Sequence, residues 1–461
     1  MQRKVKREDD DTDTSHDAHL FALTDWRAAG VTSFVALAIY FFTLAPTVTL
    51  EQSGAFVVAG QYLGIGRVPG YPVWHLLAKL FISVFGFVRY RGCPNPAWAT
   101  NFLSAFFGAL SCGLVALLVC RVGRALCFQS EGRKEKATVA AIVAGILFAI
   151  SRTMWSQSVI TETHTLTLFF ILLFLVASLV WLNRPSRQMA CVVAAIFGIG
   201  LAQSHIFVLL IPSLLLAVFF ISRGLLRDFL VTAIPVFAAL HVFLLQDYPN
   251  IWVGIGVVSG IILFLCLSFR FLPQGFTASA MLLLIILGLL LYVYLPFASL
   301  GNPPMQFGYP QTWAGFKFVI TRGQYERMLP TDVFGNPSVF LDQLRWYAML
   351  LNQQFILLLG FAGFLPLIRI SCFRGPWLKW WFLCLLTFFM CSVIFLIGAN
   401  PYCDIQDTFI QRVKFIPSFA MWGIFTGFGL LMIFTGLDGK TAQKQEMLQS
   451  EGGQLPSESK R

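Results

Sequence analysis

The sequence predicts an all-α protein, a polytopic bundle of about twelve membrane-spanning helices. Three observations predict it. Of the 461 residues, 57% are hydrophobic and only 12% are charged, with a mean hydropathy of +0.73, whereas soluble domains carry roughly 25% charged residues. Apolar runs long enough to cross a bilayer recur along the whole chain. The basic residues between them fall in alternate loops.

Spans are expected at Val31–Leu44, Phe102–Cys120, Ala137–Ile150, His164–Leu182, Met189–Ala202 and Ile206–Ile221. Others follow at Phe229–Leu245, Ile251–Phe269, Met281–Leu295, Trp346–Ile368, Trp380–Ala399 and Phe415–Phe434. One set of loops holds Arg121, Arg124, Arg133, Lys134 and Lys136, then Arg184 and Arg187, then Arg223 and Arg227, then Arg270, then Arg369, Arg374 and Lys379. The positive-inside rule puts these in the cytoplasm, and an even span count puts both termini there too. Residues 1–27 and 437–461 are therefore expected as disordered cytoplasmic tails flanking a membrane domain over 28–436. The mixed start, with Arg3 and Lys4 beside the acidic run Glu8 to Asp11, is unlike a cleavable signal peptide. The net charge of +11 has the same loop origin, so nucleic acid is not an expected partner. The ten cysteines are scattered without metal-ligand spacing. No cofactor motif is read, and a divalent metal is left open.

The other loops face the periplasm or a lumen, and three are long: Ala45 to Thr100, Pro296 to Arg345 and Asn400 to Lys414. Long ordered loops at a membrane surface more often bind or react than merely connect. Within the first, Val73 to Val88 is apolar except for His75, Lys79 and Ser83, which form one polar stripe at helical spacing. It is expected to lie in the membrane interface.

Candidate chemistry gathers in these loops. Glu51, just past the first helix, could act as a base toward a hydroxyl, or simply end a helix in water. Glu162 and His164 head the fourth span, where the helix dipole alone favours an acid. His205 sits in a polar turn and could orient a carboxylate. The large loop offers Arg322 and Tyr325. The last offers Asp404, Asp407, Arg412 and Lys414. Bases at the outer end of a helix run against the charge rule; they suit either an anionic lipid phosphate or snorkelling to headgroups. The span interiors hold almost no ionisable group except His241, which argues against an ion-coupled transporter.

Several of these segments carry a family likeness. Leu44 to Val48, Ser53-Gly54, Pro69 to Pro72, Ser151-Arg152 through Glu162, Gly200 to His205, Tyr294 to Pro296, Arg322 to Tyr325 and the Arg412 region resemble the domain of unknown function 2723 family. That family includes transmembrane-protein-260-type O-mannosyltransferases. The resemblance implies a GT-C-like glycosyltransferase. Such an enzyme moves a sugar, here possibly mannose, from a polyprenyl-phosphate carrier to a protein or glycan acceptor on the non-cytoplasmic side. It would sit in a bacterial inner membrane or, in a eukaryote, the endoplasmic reticulum. An acid in the first loop would deprotonate the acceptor, and later basic residues would hold the carrier phosphate. The family pattern there is Asp-Ser-Gly-Glu, where this chain has Gln52-Ser53-Gly54-Ala55. In the large loop an acidic position of the family is Tyr309. Three readings stay open: an enzyme with Glu51 as base, a silent paralogue that binds a lipid-linked sugar, and a transporter of such lipids.

Overall fold

In the computed structural model the described residues are 20–127, 131–246, 251–324, 329–355 and 357–436. Most of the two expected tails, and Tyr325, lie outside them. The first half of the chain runs through α1 (Leu23–Phe42), α2 (Ser53–Tyr62), α3 (Pro72–Val84), α4 (Pro96–Leu126), α5 (Glu131–Ala149), α6 (Arg152–Ser158), α7 (His164–Asn183), α8 (Arg187–Gln203), α9 (Ile211–Ile221), α10 (Arg223–Leu245) and α11 (Ile251–Phe271). The second half adds α12 (Gly275–Leu289), α13 (Tyr294–Leu300), α14 (Trp313–Ile320), α15 (Pro337–Asn352), α16 (Leu357–Ala362), α17 (Leu365–Ile368), α18 (Gly375–Phe389), α19 (Phe395–Ala399), α20 (Ile405–Gln411) and α21 (Ile416–Thr435). Among the described residues the only sheet is a hairpin of Arg89–Tyr90 with Cys93–Pro94. The chain is an all-α protein of membrane type.

Seven helices, or runs of abutting helices, are long and apolar enough to cross a membrane, and the bent pair α5 and α6 brings the number to eight if counted as one. The twelve expected spans are fewer here for physical reasons. Helix α1 opens with Asp25 and Arg27, which lower its mean hydropathy. Helices α8 and α9 are short. Trp346–Ile368 is not one helix: α15 stops at Asn352, and α16 and α17 follow as separate short pieces around Gly360 and Gly363. Cys93 and Cys403 are both unbridged.

Helix α4 is the axis of the bundle. Asn95 caps it by accepting from the Trp98 N–H at 3.3 Å, and Pro96 starts it without a donor to satisfy. At about 1.5 Å per residue its 31 residues exceed a bilayer core. Small residues let neighbours close on it, as is usual where helices cannot rely on water to drive them together. A Cβ at Gly427 of α21 would stand 2.8 Å from Val119, and one at Gly145 of α5 would stand 3.0 Å from the Cys112 carbonyl. Its far end carries Arg124, whose Nε lies 3.7 Å from the buried Asp25. The near end, at Asn95, Thr100 and Asn101, is where the candidate site lies.

The polar stripe of α3 behaves as membrane packing requires. His75 is buried against the protein and Lys79 donates to the Gln61 carbonyl at 2.7 Å, while Leu76, Leu80 and Val84 are exposed. With 13 residues, α3 spans about 20 Å, too little to cross alone. Of the polar stripe, His75 and Lys79 face inward, while Ser83 at its end is exposed.

Candidate active site

The segment after α1 is fastened before it reaches Glu51. The Asn101 amide donates to the Ala45 and Thr47 carbonyls at 2.8 and 3.1 Å, the Asn95 amide donates to Pro46 at 2.7 Å, and the Ala45 N–H donates to Val159 at 3.0 Å. Ser53 then closes a turn, its hydroxyl donating to the Thr49 carbonyl at 2.8 Å and accepting the Thr49 N–H at 3.0 Å. Glu51 sits on the crest of this turn with φ +69°, a region few non-glycine residues adopt. Gln52 is half-buried at the head of α2. A cleft of about 650 Å³ opens here, lined by Val48, Thr49, Leu50 and Glu51 with Ser156, Ile160 and Phe409.

Glu162, in the α6–α7 connection, lies within electrostatic reach of Glu51. Ser104 of α4 clamps its peptide from both sides, accepting from the Glu162 N–H and donating to its carbonyl, each at 3.1 Å. Trp74 of α3 donates to the same carbonyl at 3.2 Å, and Thr161 donates to Asn101 at 2.5 Å. Only 7% of Glu162 is exposed, and its Oε2 lies 3.9 Å from His164 Nε2. Burial, and then the charge of Glu51, push its carboxyl up to about 8, against weaker opposing pulls from the Thr163 N–H and Arg67. The two acids therefore lie within electrostatic reach of each other.

Cations surround them. Arg67 stands within electrostatic reach of Glu162, His164 and Lys414. Arg412 is within reach of Arg152 and Glu51, and its guanidinium lies 5.3 Å from the centre of the Phe409 ring. Its Nε is buried without a hydrogen-bond partner among the described residues. Lys414 donates to Gln411 at 2.7 Å and feels Arg322 and Asp407, while Arg322 in turn is felt by His205. Arg152 emerges from the 67° bend between α5 and α6, which turns α6 toward the cleft.

Other candidates are less central. Asp404 caps α20 by accepting the Asp407 N–H at 2.6 Å, and Asp407 accepts the Tyr402 N–H at 2.5 Å. Both are engaged in local turn structure. Among the described residues no group of three His, Cys, Asp or Glu side chains could hold a metal ion.

The loop from Gly64 to Tyr71 explains how Arg67 is aimed. Ile65 pairs with the chain around Gln306, its N–H donating to Met305 at 2.9 Å and its carbonyl accepting from Phe307 at 3.0 Å. Gly70 takes φ +102° with the Leu295 side chain where a Cβ would be, so only glycine fits. Tyr294 donates to the Gly64 carbonyl at 2.9 Å, and burial lowers His75 to about 4, so its neutral ring donates Nδ1–H to the Gly70 carbonyl at 2.9 Å. Arg67 and Arg152 were not among the candidates read from the sequence. The signal was present, since both are bases in loops on the side that the charge rule leaves poor in them. Ser104, Asn101 and Trp74 gave no signal, because each lies within an apolar helix.

A likeness to known proteins falls on this part of the chain. Residues 52–226 match the family model of the Protein O-mannosyl-transferase TMEM260 N-terminal domain. This region is similar to TMEM260-type proteins. The Protein O-mannosyl-transferase TMEM260 of Mus musculus is 27% identical over 195 residues, 40% of this chain and 25% of that protein. Its Dictyostelium discoideum counterpart is 22% identical over 199 residues, 40% of this chain and 22% of that protein. The match thus spans about a quarter of the length of these curated relatives, both eukaryotic. The matched stretch contains Arg67, Arg152, Glu162, His164 and His205.

Proposed function

We propose that this protein is a membrane glycosyltransferase of GT-C-like architecture. In this reading it moves a sugar, mannose by analogy with its named relatives, from a polyprenyl-phosphate carrier to a hydroxyl of a protein or glycan. The reaction takes place on the non-cytoplasmic side, in the endoplasmic reticulum if the source is eukaryotic. About twelve segments enter the membrane in this scheme, the short helices completing the spans.

One observation carries the reading. Acids and bases from loops far apart in sequence meet at one end of the bundle, beside a cleft with apolar walls. Arg67, Arg152, Arg412 and Lys414 supply the positive field a carrier phosphate needs, and arginine forks match phosphate oxygens. Arg322 lies within electrostatic reach of Lys414 and His205, and Tyr325, three residues on in the sequence, is assigned to substrate binding with it. Val48, Leu50, Ile160 and Phe409 offer an apolar wall to the first units of the carrier chain. A carboxylate of the Glu51–Glu162 pair receives the acceptor's proton. Asp404 and Asp407 serve the last loop's shape.

A second reading has its own observation. Gln52 and Ala55 stand where the family pattern has acids, which favours a silent paralogue that binds a lipid-linked sugar. Purified protein in liposomes, given a panel of polyprenyl-phosphate sugars and hydroxyl-bearing peptides, separates the two. Transfer by the natural sequence supports the enzyme. Transfer that arises only in Gln52→Asp supports the silent relative, and lipid movement without transfer supports a transporter.

A further inference from the structure

We infer that Glu162, rather than the first-loop Glu51, takes the proton of the acceptor hydroxyl; this rests on the glycosyltransferase reading above. The two acids differ in how well they are held. Glu51 rides on the exposed crest of the Thr49–Ser53 turn, with no side-chain hydrogen bond among the described residues to fix it. Glu162 is fixed at both backbone polar groups by Ser104 and Trp74. Its flank is held again through Thr161, which bonds Asn101 and Thr100. A base must be kept within hydrogen-bond distance of the proton it removes, so rigidity favours Glu162.

The charges around it are suited to the same task. Glu51 faces Glu162 from the first-loop turn, Arg67 from the loop before α3 and His164 from α7, with Lys414 beyond His164. Burial and Glu51 hold the carboxyl at about 8, so that its ionised form is a stronger base than a carboxylate in water. In the step, the acceptor oxygen bonds to the sugar's anomeric carbon as the bond from that carbon to the phosphate oxygen breaks. The electron pair stays on the phosphate, which becomes a dianion beside the cations, and the hydroxyl proton passes to Glu162.

The test uses the full chain in liposomes, with mannosyl polyprenyl phosphate and a serine/threonine peptide, reading transfer rate against pH alongside donor binding. Glu162→Gln is expected to lose about 100-fold or more in rate while still binding donor. Glu51→Gln is expected to lose less than about tenfold and to move the rising limb of the pH profile to lower pH, because the charge that hinders ionisation of Glu162 has gone. If Glu162→Gln fails to fold, Glu162→Asp serves in its place, slower than wild type but keeping the rising limb. Glu162→Gln within about tenfold of wild type, or Glu51→Gln without the shift, overturns the assignment alone. A wild type inactive with every donor overturns the glycosyltransferase reading and the assignment with it.

Discussion

Arg412 enters the site within Ile405–Thr435, the most buried of the candidate spans among the described residues, in ring contact with Phe409 and within electrostatic reach of Arg152 and Glu51. A charged hydrogen bond to phosphate contributes about 1.5–3 kcal/mol. Arg412→Ala should therefore weaken binding of a mannosyl polyprenyl phosphate by about that amount, as measured by equilibrium binding to the detergent-solubilised protein. Unchanged affinity in a folded variant removes the phosphate contact. Glu162 carries a second consequence. Its carboxyl titrates near 8 in the folded protein against 4.5 for an ordinary glutamate, so the native state keeps a proton that the unfolded chain releases. Stability should then fall as pH rises through the window between those values, and Glu162→Gln should flatten that slope in thermal unfolding. The individual acids and bases could be read from the sequence because they are scarce in so apolar a chain. Their supports could not: Ser104 and Asn101 look like ordinary polar residues in a span until the fold brings Glu162 and Ala45 against them.

At the scale of elements, the connection after α1 is held in place mainly by α4. Asn101 alone contacts Ala45, Thr47 and Thr161. Asn101→Ala removes the partner of the part-buried Ala45 and Thr47 carbonyls and of the buried Thr161 hydroxyl, and should lower stability by about 1–3 kcal/mol and loosen the Glu51 turn. Faster proteolysis or amide exchange confined to residues 44–53 would show it, and unchanged exchange there would count against the clamp. Periodicity located most helices, since apolar runs in a bilayer leave little alternative. It failed where composition hides a break. Trp346–Ile368 is apolar enough for one span, but Gln353 and Gln354 turn aside to bond Arg152 and the Thr153 N–H, and the helix ends there. The α3 stripe was found by spacing, but which side faces outward became clear only from packing.

For the whole molecule, the loop charges set an expected orientation in which the site lies on the non-cytoplasmic side. The end of α4 that carries Arg124 belongs to the base-rich set of loops, and the other end carries Asn95 and the Glu162 clamp. Single cysteines placed at Trp313 or Asp404, in a background cleared of the ten natural ones, should label with an impermeant reagent from the non-cytoplasmic side. Protection there, with labelling only after lysis, would invert the molecule and separate the site from its donor. The fold class was legible because it follows from composition, but the convergence of remote loops on one cleft was not, because no spacing along the chain encodes it. The most direct measurement is an experimental structure of the protein with a bound mannosyl polyprenyl phosphate. Phosphate density is expected among Arg67, Arg412 and Lys414, with the sugar between that phosphate and Glu162. Density at another end of the bundle, or a phosphate beyond contact with any of these cations, would contradict it.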